Sequence, residues 1–256
     1  MIKFFRKIRQ RLLAENKFST YLIYAVGEII LVVIGILIAL QINNWNEQNK
    51  IKQEEDILLD GLIQNIEKDI KNLTRLKQQD SIFIDANKIV LSAFKNDSIR
   101  NNKPLLVQKS AQASFISSFT PTQIIFNQMQ FSGKLNYILN DSIKNNIQSY
   151  YDNIANVMNS QESNLNFIYD LNFELIKYSD ANSALQSILP DYAKMELEEI
   201  DNSFFYEPIQ SDKVKEFANM TTAKQAVMLS IYFAHSNLLQ EGIELRQSLI
   251  EYRNEK

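Results

Sequence analysis

The stretch Tyr21–Ile42, YLIYAVGEIILVVIGILIALQI, limits what this chain can fold into more than any other. Between Phe18 and Asn46 the only charged residue is Glu28. Its twenty-two residues, at about 1.5 Å rise each, give about 33 Å of helix, enough to cross the hydrocarbon core of a bilayer. A soluble core helix of that length carries a polar face, and this one has none. The stretch predicts a transmembrane helix over residues 19–42. Tyr21 and Tyr24 at one end and Trp45 at the other stand where interfacial aromatic anchors belong. A cleaved signal peptide has an apolar region of about 7–15 residues and a small-x-small exit. This region is longer and leaves through Ala39-Leu40-Gln41-Ile42-Asn43, so a retained anchor is expected. A processed, secreted helical protein is the alternative.

Charge sets the expected orientation. Lys3, Arg6, Lys7, Arg9, Arg11 and Lys17 face Glu15 alone in the first twenty residues. Such short basic flanks stay in the cytoplasm, so the topology-determining segment 1–18 is expected inside. Ile2, Phe5, Ile8 and Leu12 fall at helical spacing within it, which suits a basic amphipathic helix on an anionic leaflet. On so short a segment no cytoplasmic output domain is expected. Residues 43–256 are acidic, with 21 basic residues against 28 acidic ones, which argues against nucleic acid as a partner.

After Trp45 the pattern becomes amphipathic. Leu58, Leu62, Ile66, Ile70, Leu73 and Leu76, then Phe83, Asn87, Val90 and Phe94, step by threes and fours. This predicts a helix continuous to about Lys95, weakened at Gly61, with a break at Asp80-Ser81 as an alternative. Residues 96–104 read as a polar connection, and 105–118 as a short helix or irregular chain. Thr120-Pro121 is expected to open a helix that Gly133 closes. Asn140 or Asp141 opens another, to about Tyr178. Residues 179–220 are the least regular, with a short helix AKMELEEI. Thr221 or Thr222 is expected to cap a final helix bearing Val227, Ile231, Ala234, Leu238, Leu245, Leu249 and Tyr252 on one side, packed on residues 50–95. No run alternates, and five glycines and four prolines are few. The fold class is all-α, an extracytoplasmic antiparallel bundle of long helices after the span.

The opening FFRKIRQRLLAENKFSTYLIYAVGEIILVVIGILIALQINNWNE, with its GEI and INNWNE, resembles a family of Gram-negative bacterial single-span membrane proteins known only as a domain of unknown function. The segments SFTPTQIIFNQMQFSGKLNYI and IQSYYDNI are similar to that family's middle region. The resemblance implies an inner-membrane protein with an extracytoplasmic helical domain. It implies no activity, cofactor or catalytic residue.

The residue inventory excludes several chemistries. Without cysteine there is no disulfide, thiolate metal site or cysteine nucleophile, and His235, the one histidine, rules out a di-iron bundle or a three-histidine zinc site. No nucleophile elbow or glycine-rich phosphate loop is present. His235 lies beside an apolar stripe and is expected to be a satisfied or partly exposed helix histidine. The acidic runs Glu54–Asp56 and Glu196–Asp201 are expected to be solvated surface. Tyr150 and Tyr151 suit a bundle core more than a pocket. Phe204, Phe205 and Tyr206, between Pro190 and Pro208, are a candidate partner or ligand surface.

Glu28 is the one charge within the span. At 100° per residue, Gly35 and Ala39 lie within about 20° of it, and Gly35-x-x-x-Ala39 is a small-x-x-x-small spacing. These three residues are a candidate helix–helix contact with a second copy or another membrane protein. The alternative is that Glu28 reaches toward the headgroups or is protonated. The function expected is a non-enzymatic, cofactor-free interaction or scaffold protein of the cell envelope, in the inner membrane with its bulk in the periplasm. The rival is a sensor bundle that binds a small molecule and signals through a partner, favoured if a buried pocket gathers convergent polar groups.

Overall fold

The structure is a computed structural model and describes residues 18–178, 186, 189–193, 207–208 and 210–255. The basic residues Lys3 to Lys17, the acidic run Glu196–Asp201, Phe204–Tyr206 and the side chains of Tyr21 and Tyr24 lie outside the described residues. Every regular element among the described residues is helical.

Helix α1 runs without interruption over Phe18–Ser92. Asp80-Ser81 does not break it: Ser81 bonds back to the Lys77 carbonyl at 3.0 Å, as a helical serine can. Gly61 does not break it either, and packing accounts for the glycine. A Cβ there would sit 3.0 Å from the Ile125 side chain. The chain divides into two compact units, Met1–Ile57 and Leu58–Lys256.

In the first unit, the apolar part of α1 is long and apolar enough to cross a membrane by length and composition, and none of that window is buried. Gly35 and Ala39 are exposed, Glu28 is half-buried, and Trp45 is exposed. One expectation fails here. Glu54, Glu55 and Asp56 are not a uniform solvated face, because Glu55 is buried and only Asp56 is exposed.

In the second unit, the rest of α1 is followed by the single turn α2 (Asp97–Arg100), α3 (Lys103–Ala113) and α4 (Ile124–Ser132). The long helices α5 (Asp141–Leu175) and α6 (Asp212–Asn254) come last. The connection at 96–104 is thus more helical than its composition suggests: Asn102 caps α3 by accepting from the Leu105 amide, with Pro104 in the first turn. Helix α4 starts three residues later than Thr120-Pro121 predicts, since the Thr122 amide is drawn to Asp69 Oδ1 at 2.8 Å. Gly133 closes α4 in the left-handed conformation with φ +71°. Asn140 caps α5 through the amides of Ser142 and Ile143, and a 3₁₀ turn carries the chain on through Tyr178.

Helix α6 begins at Asp212, nine residues before Thr221, with Ser211 as its cap. Thr221 and Thr222 lie inside it and bond back to the Phe217 and Ala218 carbonyls, both at 2.7 Å. The buried residues of α6 are Val214, Phe217, Thr221, Lys224, Met228, Ile231, His235, Leu238, Gly242, Leu245 and Leu249. They follow one another by alternating threes and fours, the spacing of a packed helical seam. Val227 and Ala234, expected on this stripe, flank it.

Pairings give the helix directions. Asp60 meets Arg253, Glu67 meets Arg246, Asp80 meets His235 and Asn87 meets Thr221. Numbers rise on α1 as they fall on α6, so the two run in opposite senses. Asn153 with Glu241 and Asn172 with Lys224 show the same for α5 and α6. The main core gathers Leu59, Leu62, Ile66 and Leu73 of α1, Ile147, Tyr151 and Ile154 of α5, and Leu238, Leu245 and Leu249 of α6. Gly242 lets α6 approach closely, for a Cβ there would stand 3.2 Å from the Tyr150 hydroxyl and 3.4 Å from Ile70.

Candidate functional site

The seam of α6 is polar at Thr221, Lys224 and His235, and each of these meets polar residues of other elements. His235 and Asp80 are both buried, with Nδ1 and Oδ2 2.7 Å apart. Asp80 also accepts from the Ser117 hydroxyl through its other oxygen. Phe119 and the imidazole pack edge to face, with ring centroids 6.3 Å apart. Gln161 of α5 holds this segment in place, accepting from the Phe119 amide at 2.7 Å and donating to the Phe119 carbonyl at 3.1 Å. The aspartate lies between serine and histidine, so the imidazole does not reach the serine and the trio is not a nucleophilic relay. It ties α1, the 114–123 segment and α6 together. His235 is therefore a satisfied helix histidine, and its ring also borders a cavity of about 200 Å³ lined by Asn156, Ser160, Gln161 and Asn164 of α5.

Lys224 lies eleven residues before His235 on the same seam, and only 2% of it is exposed. It borders a second cavity, of about 170 Å³ and partly open to solvent, lined by Asn87 and Val90 of α1, Ser110, Ala113 and Ser114 of α3 and its end, and Asn172, Leu175 and Ile176 of α5 and its end. Phe217, Thr221 and Lys224 complete it from α6. The ammonium donates to Asn172 Oδ1 at 2.6 Å. That oxygen is aimed at the lysine because the other end of the amide donates to the Ser114 carbonyl at 2.8 Å. Asn87 is held by the Thr221 carbonyl at 3.0 Å and by Gln225 at 2.7 Å. The Ser110 hydroxyl is buried and makes no hydrogen bond among the described residues. No aspartate or glutamate among the described residues lines this cavity. Burial therefore acts on Lys224 without a countercharge and lowers its pKa from the ordinary 10.5 to about 8.

Tyr150 and Tyr151 are core residues. Tyr151 stacks on Phe126 with ring centroids 4.0 Å apart, and both hydroxyls are pushed up in pKa by burial first and by the charge of Asp69 second. Burial raises Asp69 as well, against the lowering effect of its bond to Thr122. Among the described residues no three histidine, aspartate or glutamate side chains are grouped to hold a metal ion.

Of the residues singled out from sequence, Glu28, Gly35, Ala39 and Trp45 lie in the first unit. The cavity residues Lys224, Asn172 and Ser110 carry no motif and were missed, whereas Asn87 falls on the stripe read for α1. One signal was available: Lys224 falls four residues before Met228 and seven before Ile231, on the seam.

Residues 28–159 match the model of a family of unknown function, DUF6090. The chain belongs to this family. The matched span holds Asp80, Asn87 and Ser110, whereas Asn172, Lys224 and His235 lie beyond it. No curated protein and no solved structure is significantly similar to the chain.

Proposed function

We propose that this is a single-span envelope protein of a Gram-negative bacterium whose helical domain binds a small molecule and relays its presence to a membrane partner. The basic flank places residues 1–18 in the cytoplasm, residues 19–42 span the inner membrane, and residues 43–256 form an antiparallel bundle in the periplasm. The protein is an interaction protein without catalysis of its own. The observation that carries the ligand reading is Lys224, a buried cation on a cavity, with no acid against it among the described residues. A buried charge is costly, and a fold that keeps one uncompensated has a use for it. Asn87, Asn172 and Lys224 come from three helices, so a ligand there would bear on all three at once. Glu28, Gly35 and Ala39 offer the face for a second copy or another span.

The test is a thermal-shift screen of the full chain in lipid nanodiscs against small anions, cations and neutral solutes. At least one compound should raise the Tm of the wild type while leaving Lys224→Met unmoved. A panel without any Lys224-dependent stabilisation would remove the ligand reading and leave the scaffold role.

A further inference from the structure

We infer that the Lys224 cavity takes a monocarboxylate with a compact, apolar body. This rests on the reading of the cavity as a ligand site and adds the class of ligand.

Three features of the lining select that class. An ammonium has three donor hydrogens, and Asn172 takes one, leaving two for a carboxylate. The Ser110 hydroxyl, buried and unpartnered among the described residues, is a further donor in the lining. The rest of the surface is largely hydrocarbon and aromatic: Val90, Leu175 and Phe217. One positive charge matches one negative charge. A phosphate or dicarboxylate would carry a second charge into the site, with no other cation among the described lining residues to meet it. An amino acid would need an acid for its ammonium, and none of the described lining residues is acidic. A carboxylate attached to an apolar group meets every surface without leaving a buried charge alone.

Volume sets the scale of a suitable probe. The cavity holds about 170 Å³, and an apolar protein cavity of about 150 Å³ accommodates benzene. An apolar body of about one six-membered ring thus fits within it. Benzoate and hexanoate are suitable probes, with benzamide as the uncharged isostere of the first.

The experiment is titration calorimetry of the full chain in nanodiscs with benzoate, hexanoate and benzamide, on wild type and on Lys224→Met. Benzoate or hexanoate should bind the wild type at least about tenfold more tightly than benzamide binds it, the ratio expected of a charge-assisted bond. Lys224→Met should lose that preference. The benzoate and benzamide comparison is made on the wild type alone, so it stands even if the variant folds poorly. Benzamide binding as tightly as benzoate would overturn the carboxylate class while leaving a ligand site in place. Failure of both carboxylates would also overturn it. The thermal-shift panel then separates the two failures, since a hit of another class there preserves the site and a blank panel removes it.

Discussion

Replacing Lys224 with methionine should stabilise the ligand-free protein at neutral pH and destabilise nothing essential to the fold. The side chain is 2% exposed, and burial lowers its pKa from 10.5 to about 8. At 1.36 kcal/mol per pH unit, that gap makes the buried charge cost about 3 kcal/mol below pH 8. Methionine has similar length and removes the cost, although Asn172 Oδ1 then loses its donor, at about 1 kcal/mol. The net gain is about 2 kcal/mol at pH 7. The dependence on pH has a definite sign. Between about pH 8 and 10.5 the unfolded wild type binds more protons than the folded one, so its stability rises with pH in that window. The advantage of Lys224→Met is therefore complete below pH 8, vanishes between about pH 9 and 10.5 as the charge cost falls to the size of the lost Asn172 bond, and reverses to a deficit of about 1 kcal/mol by pH 10.5. Tyr150 and Tyr151 act oppositely above pH 10, where their raised values favour the protonated folded state, but they are present in both proteins and cancel in the difference. Urea unfolding followed by far-ultraviolet circular dichroism, in mild detergent at pH 7, 8, 9 and 10, measures the gap. A variant less stable than the wild type at pH 7, by an amount constant with pH, would show that Lys224 has an acidic partner and would refute the reasoning.

Other expectations are more local. His235→Leu should cost about 3 kcal/mol in the same unfolding assay, because Asp80 stays buried with one fewer partner; a near-neutral outcome would show the pair is dispensable. Gly133→Ala should cost about 1 kcal/mol from backbone strain alone, since φ is +71° and a Cβ there meets nothing within 4 Å. In the span, Glu28→Leu and Gly35→Leu should each reduce crosslinked oligomer in membranes while leaving insertion intact. Unchanged association in both would show that this face touches only lipid.

The helices were legible where packing and local signals agree. Leu62, Ile66 and Leu73 announce the inward face of α1 through spacing alone, and all three are fully buried. Asn140 and Gly133 mark helix ends by chemistry that acts within three residues. The start of α6 was misread because a threonine within a helix can satisfy itself against the carbonyl four residues back, so its presence does not require a cap. The start of α4 was misread because Asp69, some fifty residues upstream, competes for the Thr122 amide. The seam of α6 was read only through its apolar members, which hid Lys224 and set His235 beside the stripe rather than on it.

The sequence alone determined what depends on period and composition: an apolar helix long enough for a bilayer, an all-helical body, and the absence of cysteine or multiple-histidine chemistry. These follow from interactions between near neighbours and from counting, for which no partner is needed. The tertiary structure decided what becomes of the polar residues on the seam. Asp80 and His235 are 155 residues apart, and Asn172 and Lys224 are 52 apart. Whether a buried lysine meets a carboxylate, an amide or a cavity depends on which helix lies opposite and in what register. No local pattern encodes that, because the cost of burying the charge is set by groups that only the assembled helices bring within reach.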